Sequence, residues 1–94
     1  MIVKWTKTAL ANLALIAQYI EKDCPTRAKS FVQEIRNKTT MLAEHPSVGR
    51  AGRVMGTREL IVHKNYIVVY RVRYKHVEII RVHHVAKLWP INFD

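Results

Sequence analysis

The hydrophobic positions change period twice along the chain, and those changes divide it into elements. "MIVKW" opens with Ile2, Val3 and Trp5, strand-forming residues that predict a short first strand. From Thr6 the period becomes helical. Leu10, Leu13, Ala17 and Ile20 fall at i, i+3, i+7 and i+10 on one stripe, with Thr6 or Thr8 placed to cap it. Asp23, Cys24 and Pro25 break the pattern, and Pro25 suits the first turn of a second helix, where its missing N–H is not needed. Ala28, Phe31, Ile35 and Leu42 mark that helix's buried stripe, and Glu44, His45 and Pro46 end it. So short a connection makes the two helices antiparallel neighbours.

"SVGRAGRVMG", from Ser47 to Gly56, has three glycines, two arginines and no period, and reads as a loop. Three β-rich runs come next, "TRELIVH", "YIVVYRVR" and "HVEIIRVHH", separated by Lys64–Asn65 and Tyr74–Lys75. Two-residue separations predict a hairpin meander, with Tyr74–Lys75 the poorer turn pair. The expected fold is α+β, in the order β-α-α-β-β-β, with a helical hairpin packed on a small antiparallel sheet. Ninety-four residues make this one domain, 1–94.

Two-residue turns fix a pairing. Arg58 would lie opposite Arg71, Leu60 opposite Val69 and Val62 opposite Ile67; Arg71 would also meet Glu78, Val69 meet Ile80 and Ile67 meet Val82. Ile61, Tyr66, Val68, Tyr70, Val72, Val77 and Ile79 then form the helix-covered face. The outer face would show Leu60, Val62, Ile67, Val69, Ile80 and Val82, with Arg58, Arg71 and Glu78 at one end and His84 towards the other. A patch of that kind marks a binding surface unless the C-terminal tail, with Leu88, Trp89 and Phe93, folds back over it. Glu78 between arginines reads as a cross-strand ion pair rather than a catalytic acid. His83 and His84 are consecutive and point to opposite faces, so only one can serve the outer site; His84, on the outer face, could act as an acid or base there, though an ordinary partly buried histidine is the simpler reading.

Charge changes the picture more than composition does. The formal net charge is +9, of which residues 48–94 carry +6 and residues 1–47 carry +3. That surplus favours an acidic or polyanionic partner. Arg50, Arg53 and Arg58 place positive charge beside the outer face, suited to phosphates or an acidic segment. "GRAGR" itself is no phosphate loop, since it lacks the following Lys-Ser/Thr and the strand–helix context. Cys24 is the single cysteine, which excludes an intrachain disulfide and fits a reducing, cytoplasmic setting. "ALANLALIA" is too short to span a bilayer. With scattered histidines and one cysteine, the expectation is no metal and no cofactor.

These residues in this order resemble the RelE/ParE superfamily of toxins from bacterial type II toxin–antitoxin pairs. "A-x-x-x-L-x-x-I-x-x-Y-I" runs across the first helix and "A-x-x-F" opens the second, which "L-x-x-H-P-x-x-G-R" closes; "G-T-R-E-L", "Y-I-V-V-Y-R-V" and "V-E-I-I-R-V-x-H" complete the series. The resemblance implies a growth inhibitor, chromosomal or borne on a plasmid that it stabilises, held inactive by a cognate antitoxin. RelE-like members cut messenger RNA on the ribosome as mRNA interferases; ParE-like members poison DNA gyrase. In RelE-like and YoeB-like nucleases the central strand carries an arginine where this chain has Ile67, so the resemblance is closer to the ParE-like branch. A nuclease, if one existed here, would draw on Arg58, Arg81 and His84. Antitoxin or target contacts are expected at Arg50, Arg53, Arg58, Leu60, Ile67, Val69, Arg71, Ile80, Val82 and His84.

Overall fold

Thr6 is where strand becomes helix. Its backbone is extended, its hydroxyl accepts from Ala9 N–H at 3.2 Å, and the same hydroxyl donates to Ile79 O at 2.8 Å. One side chain thus caps α1 and fastens it to the sheet. The computed structural model describes residues 1–85: β1 (Ile2–Trp5), α1 (Lys7–Asp23), α2 (Pro25–Thr40), a 3-10 turn (Met41–Ala43), β2 (Arg50–Ala51), β3 (Arg58–His63), β4 (Tyr66–Arg73) and β5 (His76–His84). Pro25 stands in the first turn of α2, as its lack of an N–H requires.

The five strands run in the order β1-β5-β4-β3-β2. The fold class is the expected one, with two refinements. β1 pairs parallel with β5, which makes the sheet mixed, and the glycine-rich loop contributes the two-residue edge strand β2. Both helices cover one face. Ala9, Leu13, Phe31, Ile35 and Leu42 pack there against Val62, Val68, Tyr70, Val77, Ile79 and Val82. On α1 the expected stripe holds at Leu13, Ala17 and Ile20, but at its start Ala9 is buried in place of Leu10, which is 48% exposed. The α2 stripe falls where the period placed it. No helix among the described residues is long and apolar enough to cross a membrane.

Both two-residue turns form, yet neither expected register survives along the full strands. His63 pairs with Tyr66, but the next pair is Ile61 with Ile67, which leaves Val62 as an extra residue. Arg71 pairs with Glu78 as expected and Tyr70 with Ile79; then Val69 pairs with Arg81, and Ile80 is the extra residue. Each β-bulge shifts the remainder of its strand by one residue and so exchanges the faces there. Leu60, Val62 and Val82, expected outside, therefore belong to the helix-covered side. Ile61, expected in the core, is 54% exposed, and Val72, at the far end of β4, is 39% exposed.

Candidate functional site

One phenol holds the arginine-bearing loop. Tyr70 Oη accepts from Gly49 N–H at 2.9 Å and donates to Pro46 O at 2.8 Å. A Cβ at Gly49 would lie 2.6 Å from that oxygen and 2.9 Å from Glu59 O, so the contact needs glycine. Arg58 Nη1 adds bonds to Gly49 O at 2.8 Å and Ser47 O at 3.2 Å. Its guanidinium secures the loop against β3. Arg50 then emerges on β2 opposite Glu59, whose carboxylate it meets at 3.2 Å; Glu59 is 8% exposed and Arg50 stays largely in solvent. Arg50, Arg53, Glu59, Ile61, Ile67, His83 and Val85 line a shallow depression of about 280 Å³ on the outer face.

The outer face differs from the expected one in both shape and membership. Ile67 and Val69 do lie on it, but they are buried, with Val54 of the loop packed against them. Arg71 is ion-paired to Glu78 at 2.6 Å. That bond holds the Glu78 carboxyl below its ordinary range, with Arg71, Arg73 and His76 adding positive charge nearby. Ile80 sits half-buried at its bulge. The histidine on this side is His83, in register with Ile67; His84, expected on the outer face, pairs with Tyr66 and turns to the other side. Arg58 lies apart from Arg81 and His84, which line one cleft. Their partners on β4 are Tyr70, Val69 and Tyr66, so the first and last lie roughly 13 Å apart along the strand. The tail residues Leu88, Trp89 and Phe93 fall outside the described residues.

A second concavity lies against α1. It has a volume of about 670 Å³ and is lined mainly by Asn12, Leu15, Ile16 and Tyr19 from the helix, and by Tyr66, Arg81 and His84 from the sheet. Leu15 is 64% and Tyr19 68% exposed, one helical turn apart at its rim. Tyr66 packs edge-on against Phe31 at 4.9 Å and His84 at 5.2 Å. Burial, with Tyr19 nearby, pushes its phenol above the usual value. Beyond Phe31, His63 Nε2 accepts from Arg27 Nη2 at 2.7 Å. The sequence pattern did not reveal this cleft. Its one available signal was Leu15 and Tyr19, an apolar pair off the core stripe.

Comparison with known proteins agrees with this geometry. In the solved chromosomal ParDE toxin–antitoxin system of P. aeruginosa, a chain superposes with a TM-score of 0.83 at 29% identity, over 90% of this chain and 96% of that one. A YoeB/ParE toxin from Agrobacterium tumefaciens shares the fold, with a TM-score of 0.62 at 17% identity over 89% and 98% of the two chains. Putative toxin Y4kP of Sinorhizobium fredii is 43% identical over 94% of this chain and 92% of its own length. Toxin RelE2 of Caulobacter vibrioides is 36% identical over 92% and 97%. The family described as "ParE toxin of type II toxin-antitoxin system, parDE" matches residues 3–89, and to that family of toxins, each paired with a protein antitoxin, this chain belongs.

Proposed function

We propose that the chain inhibits growth by poisoning DNA gyrase, and that its antitoxin neutralises it by filling the cleft beside α1. The observation that carries the first part is the state of Ile67. At the position where the resembling nucleases hold an arginine, this chain has an isoleucine only 6% exposed, packed with Val69 under Val54. Phosphoryl transfer needs positive charge aimed at the developing oxyanion, and this position supplies none. Arg58, one of the residues that a nuclease reading would draw on, is committed to two loop carbonyls. The second part rests on exposure. Leu15 and Tyr19 are open apolar side chains beside a cleft large enough for anchor residues, whereas on the outer face Ile67 and Val69 are covered and the depression beside the exposed Ile61 is less than half as large.

A ribosome-dependent messenger RNA endonuclease is the second reading, favoured by the 36% identity to Toxin RelE2. Two parallel assays on the purified chain separate the readings: gyrase supercoiling with detection of cleaved DNA, and cleavage of messenger RNA on programmed ribosomes. Gyrase inhibition with intact message is the expected result. Message cut only on ribosomes would overturn it and redirect attention to Arg50, Arg53, Arg81 and His83.

A further inference from the structure

The hairpin joining β4 to β5 has an unusual residue at its tip. Tyr74 has φ 58°, the one positive φ among described residues other than glycine. Bulky side chains rarely adopt that conformation, and a two-residue hairpin with positive φ at its first central position ordinarily takes glycine there. The ring is 85% exposed, so its burial does not offset the strain. Strain kept at an exposed position points to use rather than to packing.

The surroundings indicate the use. Arg73 lies over the Tyr74 ring, its guanidinium carbon 5.8 Å from the centroid. Val72, Arg73 and Lys75 are exposed beside it. Arg71, Arg73 and His76 share the outer face through the β4–β5 register, and Lys4 joins them from β1 as the register partner of Glu78. Glu78 is the single acid across residues 2–5 and 71–78, and Arg71 already holds it. The corner is therefore a cationic rim around a raised aromatic plane.

We propose that this tip binds single-stranded nucleic acid, with an unpaired base stacked on the open face of Tyr74 and the flanking phosphates held by Arg73, Lys75 and Lys4. An acidic peptide would satisfy the charges but would gain nothing from a ring in a strained, exposed position. A base has a π-face that uses it, and the guanidinium over the other face strengthens the stack. The stacking requires an unpaired base, so duplex is the poorer ligand. The tip would bind in this way whether gyrase or the ribosome is the target.

The test is fluorescence anisotropy with labelled 12-nucleotide DNA and RNA single strands, the matching duplex, and an acidic peptide of equal charge. Tyr74→Gly removes the ring and relieves the backbone, so its melting temperature should equal or exceed that of the parent while single-strand affinity falls by about fivefold or more. Tyr74→Phe should bind within about twofold of the parent, since stacking needs no hydroxyl. Arg73→Gln should flatten the salt dependence by about 0.7 in log–log slope. Lys38→Gln, the same charge loss on exposed α2, should leave the slope unchanged. Unchanged affinity of Tyr74→Gly for both single strands would overturn the proposal. So would a loss confined to the acidic peptide, which would make the tip a protein contact.

Discussion

Tyr70→Phe deletes one oxygen and tests whether the arginine loop is held as described. The phenol serves two backbone groups: it accepts from Gly49 N–H and donates to Pro46 O. Gly49 is buried, so its N–H loses its partner without gaining water, a loss of about 1–3 kcal/mol. Pro46 is half-buried and its carbonyl can turn to solvent, which limits that part to about 0.5–1 kcal/mol. The expected destabilisation is about 2–3 kcal/mol, a large fraction of the ~5–15 kcal/mol available to a small domain. Urea unfolding should show a lower midpoint with an unchanged slope. Amide exchange at Gly49 should quicken beyond the global change. Because Arg58 grips Gly49 O from the other side, Tyr70→Phe and Arg58→Met should be non-additive by about 0.5 kcal/mol or more. A loss under about 0.5 kcal/mol, with Gly49 still protected, would refute the pinning role.

Tyr19→Glu should cost less than about 0.5 kcal/mol in stability, as an exposed surface change, yet weaken antitoxin binding at least tenfold by calorimetry. Phe31→Ala removes a ring that is 1% exposed and packs against both His63 and Tyr66, and should cost about 3–5 kcal/mol in denaturant unfolding. Arg71→Gln should return the Glu78 pKa upward in a carboxylate NMR titration. Because the folded pKa is depressed, the pair's stabilisation is present above the ordinary carboxylate value of 4.5 and fades as pH falls through the lower folded value. Loss of that acid-side dependence in the variant is the expected result, and an unmoved Glu78 titration would show that Arg71 is not its cause.

Much of the fold was legible in the sequence because helices and turns are specified locally. Thr6, Pro25 and the α2 stripe each encode their role within a few residues, and Lys64–Asn65 and Tyr74–Lys75 form the turns that their spacing requires. Resemblance over nearly the whole chain supplied the superfamily, which no single motif could have done. The faces were another matter. Leu60, Ile61 and Val62 are consecutive apolar residues, as are Ile79 and Ile80, so alternation cannot say which one faces the helices. The two bulges fall within these runs, where an added residue disturbs no hydrophobic pattern.

Those bulges also decide what chemistry each face can hold. Without them His84 would share a face with Ile67 and Val69, near Arg81 in sequence. With the one at Ile80, His84 instead meets Tyr66 beside α1, and His83 takes the place next to Ile67. The bulge at Val62 has the corresponding effect on β3: Ile61 and Glu59 turn outward, and Glu59 becomes the buried partner that holds Arg50 at the rim of the depression. The sheet is thus divided into an arginine-bearing outer side and an aromatic cleft under α1. Arg50 and Arg53 line the outer depression and not the cleft, so an antitoxin segment seated in the cleft as proposed would leave them uncovered. In the proposed reading, neutralisation through the cleft therefore acts by blocking the approach of the target rather than by covering the outer arginines.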